Sequence, residues 1–355
     1  MINQQVIADR LKLSRATVSR CFTNHPGINP GTRAKVFALA AQLGYTHLEK
    51  RAVEGAVKKP AKSLTFGVIV CVDMDRFDSH HYNTPGQEML NGLSDLARGQ
   101  DVRIDLHFVR PGDSNTHAPS YERIASARSR LWDGVVLLYS FPRQAVDELM
   151  ATYPLVSLTI QDASAALNCV DVDHYRGIGK LVDLLHSQGH RRIGFYTWRY
   201  LVDTDWSHRR FSAYADRITA LGLPFRPEDV VNIDPARYLP VEQASERVYS
   251  QTRDGVTAWI CAADHQAYEL IRFLRGKGLR VPQDVSVTGF DGIARPADSP
   301  QLSTVQIPFH QIGVIGGKRL LDLIQKRFDP PQQILLACEL KPGETVGPAR
   351  TSALA

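Results

Sequence analysis

Residues 4–23 read QQVIADRLKLSRATVSRCFT, and the reading of this stretch decides the N-terminal fold. Val6, Ile7, Ala8 and Leu11 supply the apolar face of a first short helix. Lys12-Leu13-Ser14 follows as a turn, and Ser14 is a good N-cap for a second helix. Val18 and Phe22 lie four residues apart and share one face of that helix, among Arg15, Ser19 and Arg20. Asn29-Pro30 then reads as an N-cap followed by an N1 proline. It opens a third helix through Leu43 that buries Val36, Leu39, Ala40 and Leu43, with Gly44 as its stop.

Three helices in so short a span, the second opened by small polar residues, make an all-α helix-turn-helix headpiece. In such a unit the second helix enters the major groove of DNA and its first residues meet base edges. Arg20 suits bidentate readout of guanine, Arg15 a base or a phosphate, and Ala16 a thymine methyl. Ser14, Thr17, Ser19 and Asn29 suit phosphates, which set register rather than sequence. The bland alternative is a small helical bundle with a charged face.

Charge supports the nucleic-acid reading. Residues 1–62 hold eleven Lys/Arg against three Asp/Glu, net +8; the whole chain is +5, so the remainder carries −3. A basic head on a mildly acidic body points to a polyanionic partner for the head alone. At 355 residues, 43% hydrophobic and 22% charged, the chain has the composition of a soluble protein of two or three domains. It lacks an apolar run long enough to span a bilayer. The first residues lack the basic-then-apolar order of a signal peptide, so a cytoplasmic location is expected. Five scattered cysteines (Cys21, Cys71, Cys169, Cys261, Cys338) form no CxxC pair and indicate neither a disulfide framework nor a zinc site.

The segment IADRLKLSRATVSRCFTNHPGINPGTRAKVFALAAQLGY resembles the headpiece of the lactose-repressor (LacI/GalR) family, with TVSR, the TR of the third helix and the closing LGY as specific features. Lys12 stands where that family usually has glycine, and Thr23 where asparagine is common. The resemblance implies a hinge helix within 46–62 that wedges a leucine into the minor groove. Counted ungapped from Tyr45, the wedge position is Glu54, which a polyanion's groove repels; Val53 serves if the register slips by one.

From Leu64 onward apolar runs alternate with amphipathic stretches. Runs 64–72, 102–109, 133–139, 155–160, 191–197, 256–262 and 284–290 read as strands. Helices are expected at 86–99, 119–131, 142–152, 175–188, 208–221, 241–252 and 264–276. That alternation implies α/β parallel sheets, with ligands beyond the carboxyl ends of strands. LLHSQGHRRIGFY, GLRVPQDVSVTGFD and QLSTVQIPFHQIGVIGGKRLLDLI are similar to segments of the same family. They imply a periplasmic-binding-protein-like core of two Rossmann-like lobes. The expected domains are a headpiece 1–45, a hinge 46–62, an effector-binding and dimerisation body 63–345 and a tail 346–355. Within the body the N-lobe is placed at about 63–160 and 292–323, the C-lobe at about 161–291 and 324–345.

The resemblance further implies effector-binding residues. Asp291, in GFD, matches the family's effector carboxylate, and Arg210 its hydroxyl- or carboxylate-clamping arginine. Ala263-Asp264 falls where Asn-Asp is usual, and Asn83 aligns with an asparagine before the first lobe's helix, here followed by Thr84-Pro85-Gly86. Trp198 and Trp206 are candidates to stack on a sugar. Each has a structural alternative: Asp264 and Asp291 as helix caps, Arg210 in a surface ion pair, the tryptophans in the core.

No P-loop, GxSxG, HExxH or zinc-spaced cluster occurs, and no cofactor or metal is expected. Asp73-x-Asp75 reads as a solvated acidic pair, and the glycines of GVIGGK (313–318) as helix-packing residues. The expected function is a homodimeric regulator, a repressor by default, that reads pseudo-palindromic double-stranded operator DNA and answers to a small effector, a sugar or sugar derivative. The rivals are a sugar-active enzyme or a free sugar-binding protein on the same body, and a DNA architectural protein. The tail lacks an apolar heptad, so no tetramerising coiled coil is expected.

Overall fold

The computed structural model describes residues 3–22, 27–43, 63–72, 85–124, 131–161, 166–200, 205–327 and 330–351. Gly44, the whole 46–62 hinge with Val53 and Glu54, Asp73, Asp75 and Asn83 lie outside them.

The headpiece comprises α1 (Gln4–Arg10), α2 (Arg15–Phe22) and α3 (Pro30–Gln42). Asn3 caps α1, its side chain accepting from the amides of Gln5 and Val6. Ile7, Ala8, Val18, Cys21, Val36 and Ala40 form its core, flanked by Leu11, Leu13, Phe22, Ile28, Leu39 and Leu43. A core this small leaves little stability to spare, since each fully buried aliphatic side chain contributes only about 1.5–3 kcal/mol. The turn between α1 and α2 therefore matters. Lys12 sits there at φ 53°, in the left-handed region where a Cβ is strained.

The chain, headpiece included, divides into two compact units. The first comprises residues 1–171 with 309–334, and the second 172–308 with 335–355. Three chain crossings therefore join them. These bounds differ from the lobes expected from sequence. The 160 boundary moves because β5 (Asn168–Val172) joins the first unit's sheet against β4 (Leu155–Leu158). The 292 boundary moves because residues 292–308 stay with the second unit. There β10 (Thr304–Gln306) pairs antiparallel with β12 (Glu339–Lys341).

The first unit holds a six-stranded sheet ordered β11-β5-β4-β3-β1-β2, with β1 (Leu64–Cys71), β2 (Val102–Val109), β3 (Gly134–Leu138) and β11 (Gln333–Leu336). β1 runs parallel to β2 (Leu64↔Val102) and to β3 (Phe66↔Gly134). Its last six residues are all buried, as expected of a strand covered on both faces. Helices α4 (Pro85–Gly99), α5 (Pro119–Glu122) and α6 (Arg143–Thr152) follow β1, β2 and β3 in turn. Of the helix expected over 119–131, the described residues hold the turn Pro119–Glu122, and 125–130 lie outside them.

The second unit carries α7 (His174–Ser187), α8 (Asp205–Ala220), α9 (Val241–Arg253) and α10 (Asp264–Gly276) around a parallel sheet β7-β6-β8-β9. Its strands are β6 (Ile193–Tyr196), β7 (Val230–Val231), β8 (Ala258–Cys261) and β9 (Ser286–Thr288). Helix α11 (Phe309–Ile324) returns to the first unit and packs on α4 backbone to backbone. A Cβ on Gly92 would lie 2.0 Å from the His310 carbonyl oxygen, and one on Gly313 the same distance from that of Met89. The GVIGGK glycines are thus packing residues.

Residues 346–351 are not a loose tail. Both ring nitrogens of buried His190 are engaged, Nδ1 with Thr257 Oγ1 at 2.8 Å and Nε2 with the Gly347 carbonyl at 3.1 Å. Burial pushes its pKa down to about 4 and keeps the ring neutral. Arg350 donates to the carbonyls of Thr252 at 2.6 Å and Asp284 at 3.0 Å.

Replacing Lys12 with glycine removes the left-handed strain at some cost in unfolded-state entropy. Lys12→Gly should stabilise the headpiece by roughly 0.5–1 kcal/mol, read as a later loss of headpiece helicity on heating. An unchanged or lower midpoint would show that the turn is not strained.

Candidate functional site

In the headpiece, Ser14 Oγ accepts from the Thr17 amide at 3.0 Å and lies 2.8 Å from Thr17 Oγ1, closing the N-terminus of α2. Asn29 Oδ1 does the same for Gly31 at 2.8 Å and opens α3. Two of the residues read as phosphate contacts, Ser14 and Asn29, are therefore also the caps that fix where α2 and α3 begin. Arg15, Ala16 and Arg20 are exposed while Val18 and Cys21 are buried, so α2 keeps one face in the core and offers the other outward. This is the geometry a groove-reading helix needs.

The second unit gathers a polar cluster at the carboxyl ends of its parallel strands, where ligands of α/β sheets bind. Arg210, on α8, is only 4% exposed. Its Nη1 lies 3.1 Å from Asp291 Oδ1. Its Nε donates to His174 Nδ1 at 3.2 Å, so that imidazole nitrogen is an acceptor. Nη1 also donates to the Ala262 carbonyl beyond β8. The guanidinium carbon sits 3.9 Å from the Phe290 ring centroid and 4.6 Å from that of Trp206. Trp206 lies one helical turn before Arg210, and the charge is held between two aromatic faces.

Asp291 takes an unusual backbone conformation, φ 137°. Its amide donates to the Val305 carbonyl at 2.9 Å, and its own carbonyl accepts from Ile307 at 3.0 Å. A strained residue pinned on both sides of its Cα is characteristic of binding sites. No helix begins after Asp291, so it is not a helix cap. Burial raises its pKa, and the Arg210 charge opposes the rise.

Asp264 lies beside Asp291 and supports the backbone that follows it. It is fully buried, and its Oδ2 accepts from the amides of Gly292 at 2.7 Å and Ile293 at 2.9 Å. Oδ1 accepts from Thr304 Oγ1 at 2.5 Å. These bonds hold the backbone just past Asp291. The carboxyl thus holds the Asp291 loop in place. Gly289 makes room for it, since a Cβ there would lie 2.2 Å from Asp264 Oδ1. Burial, and then the charge of Asp291, push the Asp264 pKa up to about 7.

Trp198 donates to the Tyr196 hydroxyl at 2.7 Å and packs against the core of the second unit, as in the core reading of that residue. Three further polar residues were invisible in the sequence. Tyr200 Oη lies 2.9 Å from His265 Nε2 and accepts from Gln266 Nε2 at 2.6 Å. Gln266 Oε1 is buried with no hydrogen-bond partner among the described residues. His174 is likewise hidden from sequence patterns, because its role depends on meeting Arg210 from another helix. In the first unit, Tyr139 follows β3 at φ 68°, and its hydroxyl accepts from the Gly86 amide, at the start of α4, at 2.8 Å. Among the described residues no group of three His, Cys, Asp or Glu is placed to hold a metal.

Residues 182–346 match the periplasmic binding protein-like domain family. The chain is 27% identical over 344 residues to the HTH-type transcriptional repressor CytR of Escherichia coli K12, covering 94% of this chain and 93% of that one. It is 24% identical over 324 residues to catabolite control protein A of Priestia megaterium, covering 90% and 92%. The structure of a CelR–cellobiose complex superposes with a TM-score of 0.67 at 20% identity, over 97% of this chain and all of that one. The lac repressor dimer bound to operator and the anti-inducer ONPF gives 0.63 at 20%, over 98% and 99%. The chain is a homologue of the LacI-family regulators. Two departures from the LacI-family pattern now have physical descriptions. Lys12 replaces the usual glycine at a left-handed turn position. Ala263, where asparagine is usual, precedes α10 and gives it no side-chain cap.

A carboxyl whose folded pKa lies above its unfolded value contributes stability at low pH that is lost as pH rises through the folded value. For Asp264 that window runs from about 4, the ordinary carboxylate value, to about 7. An asparagine is isosteric with the protonated acid: its oxygen serves Gly292 and Ile293 while its NH2 faces Thr304. The stability of Asp264→Asn relative to wild type should therefore rise between pH 5 and 8, by at most about 1.4 kcal/mol per pH unit. Melting curves across that range check this, and a constant gap would mean that the carboxylate is ionised throughout.

Proposed function

We propose that this chain is a sequence-specific DNA-binding transcriptional repressor, acting in the cytoplasm as a homodimer on pseudo-palindromic operator DNA. A small effector, a sugar or sugar derivative, controls it from the strand-end site that contains Asp291 and Arg210. The observation that carries the reading is the conjunction of two arrangements in one chain. One is α2, capped by Ser14, with Arg15, Ala16 and Arg20 outward. The other is the buried Arg210–Asp291 pair on a strained backbone at the ligand-binding end of a parallel sheet.

The relatives support it in kind. They are HTH-type transcriptional regulators and repressors rather than enzymes, and solved neighbours hold cellobiose, sucrose, glucose or ribose. No described helix is long and apolar enough to cross a membrane. The mechanism proposed is linkage: the effector favours one conformation over another and changes operator affinity by no more than its differential affinity for the two. Dimerisation presents two α2 helices to two half-sites, matching protein and operator symmetry.

Selection from a random duplex pool with the full-length protein should recover a pseudo-palindrome. On that sequence Arg20→Ala should lose about 1–3 kcal/mol of binding and relax preference at one base pair per half-site. Ser19→Ala should weaken all sequences about equally. Full operator affinity in a folded Arg20→Ala protein would remove α2 from the groove.

A further inference from the structure

The headpiece shares one compact unit with the six-stranded sheet. Within that unit α3 packs on α4 and on β2. The spacing of its side chains gives α3 two working faces. Val36 and Ala40, four residues apart, belong to the headpiece core. Arg33 and Phe37, also four apart, line a narrow cavity whose other walls include Leu90 of α4 and Ile104 and Leu106 of β2. Phe22 of α2 joins them there and meets Phe37 edge to face, with ring centroids 5.3 Å apart.

The body side presents a matching surface. Ile104 and Leu106 are two apart on β2, so both side chains stand on one face of the strand. On α4, Met89, Gly92, Leu93 and Leu96 are buried, and the backbone of Met89 and Gly92 meets α11. Leu90 and Ser94, four apart, line the headpiece side instead. Arg33 is only 3% exposed, although arginine is among the residue types least often buried. Burial, and then the charge of Arg98 on α4, lower its pKa, while Cys21 and Asp95 oppose the fall. The surroundings of a headpiece side chain are thus set in part by the body.

We infer that α4 and β2 form a docking surface for the chain's own headpiece, and that the docked headpiece carries α2 with its outward side open. Arg15, Ala16 and Arg20 stay exposed in this arrangement. Sheltering Phe22 and Phe37 against the apolar side chains of α4 and β2 extends a headpiece core of only six buried residues, so docking stabilises the headpiece. Because α4 also holds α11 backbone to backbone, the docked headpiece, α4 and α11 move as one body.

Amide hydrogen exchange of the full-length, DNA-free protein tests this, on wild type and on Leu90→Arg and Ser94→Arg, each of which sets a second bulky cation beside Arg33. Arg103→Ala, at an exposed position of β2 whose side chain stands on the opposite face from Ile104 and Leu106, is the control. In both α4 variants the amides of α3 should exchange at least about tenfold faster than in wild type, the worth of one lost buried apolar contact. The amides of β1 and β3 should keep their protection, which shows the body folded, and the control should match wild type. Unchanged α3 exchange in either α4 variant, with the strands still protected, overturns the inference. So does loss of self-association, read by sedimentation, with α3 exchange unchanged: a second copy would then be the occupant of the face. Neither result bears on the DNA reading of α2, since no DNA is present.

Discussion

The contact on which the ligand-binding half depends is the buried pair between Arg210 and Asp291. Each partner would be costly to bury alone, since removing one side of such a pair typically costs about 3–5 kcal/mol. Here the cost is met by geometry. The guanidinium has hydrogen-bond acceptors on Asp291, His174 and Ala262 and aromatic rings on its faces. Asp291 in turn reaches the arginine only because its backbone is held at φ 137° by pairing on both sides. Behind it, Asp264 grips the next two amides, and Gly289 leaves space for that grip. A ligand meeting this cluster finds oriented groups rather than mobile ones, which lowers the ordering cost of binding.

The headpiece solves a different problem with similar economy. Its core is too small to fix three helices by burial alone, so local hydrogen bonds at Asn3, Ser14 and Asn29 define where each helix starts. The helix faces then follow from spacing: with Val18 and Cys21 inward, Arg15, Ala16 and Arg20 are outward. Stability and recognition thus share residues. A substitution at Ser14 would shift the start of α2, and with it the register of every outward side chain.

Much of this was legible in the sequence, because helix caps and hydrophobic periods are local. QQVIADRLKLSRATVSRCFT carries its own caps, turn and faces, and the main strands of both units are continuous apolar runs. What sequence could not reveal is what depends on partners distant along the chain. β5 and β11 are short and find their place only in the six-stranded sheet, so the expected lobe boundaries missed them. The grip of Asp264 on Gly292, Ile293 and Thr304 was hidden because those partners lie 28 to 40 residues away. His174 and Tyr200 gave no signal for the same reason. Lys12 was visible as an odd residue, but its left-handed φ is a property of the fold.

The central claim is that Asp291 serves the ligand while α2 serves DNA. Titrating the effector into Asp291→Asn and into wild type, free and on operator, tests it most directly. The account predicts effector affinity lower by roughly ten- to a hundredfold, the worth of charge-assisted hydrogen bonds, with effector-free operator affinity within a few-fold of wild type. The variant should stay on operator at effector concentrations that release the wild type. Undiminished effector affinity in the folded variant would contradict the account.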